Sequence, residues 1–230
     1  MSDWINDRTS RVPASASTAA RHETRPAAWS LVVPVKGGEG AKSRLRAPDG
    51  VDRIALARAL ALDTVAAGIE AIGADHVVVV TSDPEVSRSV RQLGAHVVRD
   101  PGQGLDAAAR AGLAAVAVRH AAAVLLGDVP ALRAADVRDA LVSAHAYDCW
   151  FVPDAEGTGT VLLGASDPSS LRPRFGSGSA ARHEAEGHVR LDLDLARLRR
   201  DVDDEASLGE ALRLGVGPHT AALLAHVVGR

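Results

Sequence analysis

Lys36 and Lys42 both lie in the stretch VVPVKGGEGAKSRL (residues 32–45), and they are the only lysines among 26 basic residues. So much arginine and alanine suggests a GC-rich genome, in which drift tends to turn lysine codons into arginine. A lysine that persists there is a candidate for a role arginine does not fill. An ammonium is a compact point charge on a flexible stem, whereas guanidinium is a broad planar fork. A tight turn around phosphate groups suits the former. Two familiar phosphate loops fail here. A P-loop aligned on Lys42-Ser43 puts Lys36 and Ala41 where its glycines belong, and a dinucleotide fingerprint from Gly38 puts Ser43 at its third glycine. A glycine-rich turn remains, whose N–H groups and two ammonium ions suit a polyphosphate. Two solvated lysines in a surface loop are the bland alternative.

Carboxylates supply the second chemistry. Asp128 ends the apolar run in AVLLGDVPAL (123–132), where a carboxylate suits a magnesium ion bridging phosphate oxygens, a Walker-B-like aspartate, or a simple turn cap. In RRDVDDEASL (199–208), Asp201 and Asp203 are two apart, so in an extended stretch both face one way, as two ligands of one metal would. The same stretch reads as a helix cap, with Asp203 or Asp204 ahead of Leu208 and Leu212. In RFGSGSAARHEAEG (174–187) a Gly/Ser turn runs into a helix start, and its N–H groups around Gly176 and Ser179 form an anion site or mere loop punctuation. His183 and His188 are spaced so as not to share a helix face and read as surface or structural groups.

These residues need strand ends to hold them. From Trp29 onward, apolar runs (WSLVVPV, HVVVVTS, AHVV, AAAVLLGD) alternate with alanine-rich helical patterns at 51–72, 84–94 and 105–119. Strands apolar throughout, separated by helices, predict a mainly parallel α/β sheet covered on both faces. Ligands bind beyond the carboxyl ends of such strands, where the lysine loop, Ser82-Asp83, DPGQGLD (100–106) and Gly127-Asp128 fall. Helices near 133–145, 204–214 and 218–228 and extended segments DCWFVPD and GTGTVLLGA complete the pattern. Residues 1–28 lack periodicity and predict a disordered tail, leaving 29–230 as one domain.

With 230 residues and 47% apolar content the chain can build a large core. Its formal charge of −3, with both signs interspersed, argues against nucleic acid as partner. The single cysteine, Cys149, allows no internal disulfide and reads as a small buried hydrophobe. No run approaches the roughly 18 apolar residues of a membrane span, and no signal-peptide centre is evident. The expected location is the cytoplasm.

Together, VPVKGGEGAKSRL, DPGQGLDAA, LLGDVPAL, DAEGTGTVLL, RFGSGSAARH and DVDDEASL resemble, in order and approximate spacing, the CofC/FbiD family. These are phosphoenolpyruvate or 2-phospho-L-lactate guanylyltransferases of coenzyme F(420) biosynthesis. The resemblance spans roughly residues 29–228. It implies a Rossmann-like, GT-A-like nucleotidyltransferase fold, with a mixed, mainly parallel sheet. It also implies transfer of GMP from GTP to a small phosphorylated acid. Asp128, Asp201 and Asp203 would hold Mg2+, Thr160, Gly176 and Ser179 would meet the acid's phosphate, and Lys36 and Lys42 would serve the catalytic step. Gly37, Gly38 and Arg44 would wrap the GTP phosphates, with Gly104 and Asp106 completing the nucleotide site. Family members commonly carry Asn where this chain has Asp106, which exchanges an amide able to donate for a carboxylate that only accepts.

The high-GC composition suggests a bacterial source, for which the resemblance implies phosphoenolpyruvate as the acid, and it also implies a downstream coenzyme-biosynthesis transferase as partner. Another nucleotidyltransferase of the same fold, such as a molybdenum-cofactor guanylyltransferase, and a catalytically silent nucleotide-binding partner stay open as alternatives.

Overall fold

The computed structural model describes residues 28–37, 45–117 and 120–228. The expected tail, and with it Gly38, Lys42 and Arg44, lies outside the described residues, except for Ala28, whose carbonyl accepts from Ala121 N–H at 3.0 Å.

Seven strands form one sheet: β1 (Trp29–Val35), β2 (Val77–Thr81), β3 (His96–Arg99), β4 (Ala121–Leu125), β5 (Cys149–Pro153), β6 (Thr160–Ala165) and β7 (Val189–Arg190). Their order is β3-β2-β1-β4-β6-β5-β7. β6 is antiparallel to both neighbours and every other pairing is parallel. This is the mixed, mainly parallel sheet expected.

The run of apolar residues in each central strand follows from burial on both faces. Leu31, Val33 and Val35 face one side with Val77, Val79, Ala123 and Leu125. That side packs against helices α1 (Arg53–Ile72), α2 (Pro84–Gln92) and α4 (Ala134–Ser143). Val32, Val78, Val80, Ala122 and Val124 face the other, against α3 (Leu105–Leu113) and α5 (Ser179–Ala185). A period of two with both faces apolar gives the near-continuous hydrophobic runs seen in the sequence. A third cluster packs Leu56 and Leu60 of α1 against Val202 and α7 (Glu205–Leu214), with Leu223 and Leu224 of α8 (Pro218–Val228) beside them.

α3 is shorter than the alanine pattern over 105–119 predicts. It ends at Leu113, and the chain turns through i→i+3 bonds, Ala115 N–H to Gly112 O and Val116 N–H to Leu113 O, before entering β4. Helix propensity yields here to sheet register, which pairs Ala121 with Trp29. The two-residue β7 and the four-residue α6 (Ala196–Arg199) left no periodic signal, being too short to show one.

Candidate active site

The chain reverses direction across the sheet between β1 and β4, because α1 and α3 cross on opposite faces. Carboxyl ends of strands at such a switch point border a crevice. A cleft of about 900 Å³ opens there, lined by Lys36 after β1, Gly102, Gly104 and Leu105 before and at α3, and Gly127 and Asp128 after β4. Its far side is formed by Asp154, Thr158 to Thr160, Phe175 to Ser179, Asp201 and Asp203. Because β6 runs antiparallel, its first residue, Thr160, reaches the edge where β4 ends. The strand order β1-β4-β6 therefore sets Asp128 between Lys36 and Thr160.

Close backbone approaches hold the strand ends. A Cβ on Gly127 would sit 2.6 Å from Pro34 O, and one on Gly37 would sit 2.8 Å from Asp83 Cβ. Both positions require glycine for lack of space. Asp83, buried at the N-cap of α2, accepts from Glu85 N–H and Val86 N–H and from Arg58 Nε at 2.9 Å. Burial pushes its pKa up, but Arg58 and the two N–H groups outweigh that and hold it below the usual carboxylate range. After β4, Val129 N–H donates to Thr64 Oγ1 of α1 at 3.0 Å, which fixes the turn carrying Asp128.

Asp128, Asp201 and Asp203 each offer a carboxylate oxygen, and the three lie within 4.8 Å of one another. Oxygen ligands at such spacing, from half-buried and exposed groups, fit a hard divalent cation. Asp204 is the cap instead: its Oδ1 accepts from Ser207 N–H at 2.9 Å at the start of α7. Within this acidic stretch, then, Asp204 makes the cap while Asp201 and Asp203 stand beside Asp128.

Gly176 and Ser179 both line the cleft, and main-chain bonds hold the turn between them. Ser179 N–H already donates to Gly176 O at 3.0 Å and Ala180 N–H to Thr158 O at 3.1 Å. Ser177 and Gly178 line the cleft as well, in a turn whose φ values of 99° at Gly176 and 72° at Gly178 favour glycine. Thr160 also lines the cleft, yet its side chain is buried, with Oγ1 2.9 Å from His183 Nδ1. His183 Nε2 accepts from Arg174 N–H at 3.2 Å, so the proton sits on Nδ1 and is donated to Thr160. Burial, reinforced by His188, lowers the His183 pKa to about 4. His183 and His188 are both buried and structural rather than surface groups.

Asp106 is not among the residues lining the cleft: its Oδ1 accepts from Phe175 N–H at 2.8 Å, tying α3 to the Gly/Ser turn. Only an acceptor is needed for this bond, so Asn and Asp serve it equally, and the departure from the family pattern is explained locally. Sequence reasoning missed Asp154, whose Oδ1 and Oδ2 accept from Thr158 N–H at 2.9 Å and Gly159 N–H at 2.8 Å. The signal was the D-A-E-G-T-G spacing, an Asx-type turn over glycines. Cys149 is half-buried beside the second apolar cluster, and burial raises its pKa. No helix among the described residues is long and apolar enough to cross a membrane.

The MobA-like NTP transferase domain matches residues 54–191. The chain is 48% identical over 206 residues to a phosphoenolpyruvate guanylyltransferase of Geodermatophilus obscurus, an alignment covering 86% of this chain and 94% of the relative. A nucleotidyl transferase from Methanothermobacter shares the fold at TM-score 0.53 and 19% identity, covering 81% of this chain and 99% of that one. So does Rv0371c from Mycobacterium tuberculosis, solved as a complex with manganese, at TM-score 0.51 and 20% identity, covering 81% and 98%. By this sequence identity and domain match, the chain belongs to the phosphoenolpyruvate guanylyltransferases, nucleotidyltransferases built on the MobA-like domain.

Proposed function

We propose that the chain transfers GMP from GTP to phosphoenolpyruvate and releases pyrophosphate, as a step of coenzyme F(420) biosynthesis. The observation that supports this most directly is the carboxylate group of Asp128, Asp201 and Asp203 in a cleft with Lys36 beyond β1 and the Gly/Ser turn across from it. In this reading Lys36, Gly37 and the α3 N-terminus at Gly104 take the GTP phosphates, joined by Gly38, Lys42 and Arg44 of the same loop. The acid's phosphate lies at Thr160, Gly176 and Ser179. Asp128, Asp201 and Asp203 would hold Mg2+, which when bound would supply positive charge against the phosphate oxygens.

A phosphate monoester is already largely dianionic near neutral pH, its second pKa being about 6. One of its oxygens attacks the α-phosphorus of GTP without a general base, as the bond from that phosphorus to the β-bridging oxygen breaks. His183 is no candidate base, since Thr160 and Arg174 engage both its ring nitrogens. Lys36 then meets the charge developing on pyrophosphate, which a mobile ammonium can follow better than a fixed fork.

Pyrophosphate release, measured from GTP and from ATP with phosphoenolpyruvate, 2-phospho-L-lactate and 3-phosphoglycerate, tests this. GTP with phosphoenolpyruvate is expected to give the highest kcat/KM, by a modest margin over 2-phospho-L-lactate, since a methyl-sized difference is worth roughly 1–3 kcal/mol. Preference for another acid overturns the substrate choice alone. No release with any pair overturns the catalytic reading.

A further inference from the structure

Arg182, on α5, wraps the turn that carries Gly176 and Ser179. Its Nε donates to Arg174 O at 3.1 Å, Nη1 to Ser177 O at 2.7 Å, and Nη2 to Phe175 O and Gly176 O, each at 3.1 Å. A guanidinium carries five N–H groups in one rigid plane. Four of them are engaged by four successive main-chain carbonyls, leaving at most one for any ligand. Though cationic and beside the cleft, Arg182 is therefore built into the loop.

We propose that Arg182 is a positioning residue for the phosphorylated acid, which it does not touch: it orients peptides 174 to 178 and so decides which N–H groups the turn offers to a phosphate. The inference rests on the assignment of Gly176 and Ser179 to that phosphate. In a trans peptide the N–H of one residue points away from the carbonyl of the residue before it. The first plane displays this, since Arg174 O meets Arg182 while Phe175 N–H, on the opposite side, donates to Asp106. By the same geometry the carbonyls of Phe175, Gly176 and Ser177 turn the N–H groups of Gly176, Ser177 and Gly178 away from Arg182. These are the residues at the rim. Two glycines at positive φ leave this turn with little rigidity of its own, so an external template is needed. Lysine cannot replace it, because one ammonium nitrogen cannot span carbonyls that Arg182 reaches with three separate nitrogens.

The test measures KM for phosphoenolpyruvate and for GTP separately in wild type, Arg182→Ala, Arg182→Lys and Ser179→Ala. Misplacement of a binding group by about an ångström costs up to about 100-fold, so Arg182→Ala and Arg182→Lys should both raise KM for phosphoenolpyruvate by about tenfold or more. KM for GTP, unchanged in both, reports an intact fold. Full recovery in Arg182→Lys would show that charge alone matters and overturn the inference. So would a normal KM for phosphoenolpyruvate in Arg182→Ala while Ser179→Ala raises it. If Ser179→Ala also leaves that KM unchanged, and phosphoenolpyruvate gives no hydrogen-exchange protection of amides 176–178 in wild type, the assignment of the phosphate site itself fails, and the inference with it.

Discussion

The N–H of Val202 donates to the main-chain carbonyl of Asp128 at 3.0 Å. Val202 is fully buried against Leu56, Leu60 and Leu208. Neighbours of a buried residue in an extended stretch point the other way, so the same contact that closes the core turns Asp201 and Asp203 toward the Asp128 side chain.

Asp128→Asn and Asp203→Asn should each lower pyrophosphate release by about 100-fold or more, the scale for losing charge stabilisation in a transition state. Thermal unfolding should stay near wild type for Asp203→Asn, an exposed position. A chelator should abolish turnover, and added Mg2+ should restore it. Near-normal release by either variant at saturating Mg2+ would refute the metal assignment.

Asp106→Asn should behave as wild type, because an amide oxygen also accepts from Phe175 N–H. Asp106→Ala leaves that N–H without its acceptor, which costs on the order of 1–3 kcal/mol if the group stays dry. It should also raise KM for phosphoenolpyruvate. A loss of GTP selectivity in Asp106→Asn would instead place this carboxylate on the base.

His183 gives the fold an acid-sensitive point. Its pKa falls from 6.5 in the unfolded chain to about 4 in the folded one, so the unfolded state binds more protons between those values. The stabilisation is fully present above pH 6.5 and is lost as pH falls through about 4, worth at most about 3 kcal/mol. His188, also lowered by burial, acts in the same direction. Urea unfolding at pH 7.5, 6 and 5 should show wild-type stability falling with pH, and His183→Gln should flatten the slope. An unchanged slope would mean other groups carry it.

Gly37→Ala would set a Cβ 2.9 Å from the buried main-chain nitrogen of Asp83. The strand end must then shift, moving Lys36 with it. Overpacking of this kind costs about 1–3 kcal/mol, and KM for GTP should rise more than KM for phosphoenolpyruvate. Equal effects on both would disconnect Gly37 from the nucleotide side.

Much of this protein is written in local pattern. Short unbroken β-branched runs such as Val77–Thr81 read as strands buried on both faces, and the residues that follow strands mark one edge of the sheet. Asp128 and Lys36 were therefore legible as neighbours, because strand ends converge whatever lies between them, whereas the DVDD stretch follows a helix and only the family resemblance joined it to them. Tertiary structure decided the rest, through partners distant in the chain. Whether an aspartate caps or joins the carboxylate group depends on where Val202 is buried, and Asp203 and Asp204 are alike until that is known. Asp106 bonds across 69 residues and the Thr160 hydroxyl across 23, contacts that no spacing rule encodes. The Arg182 array is local in sequence, yet it was hidden as well, since it depends on carbonyl orientation in a glycine turn. Sequence names the side chains, whereas peptide-plane orientation appears only once the chain has folded.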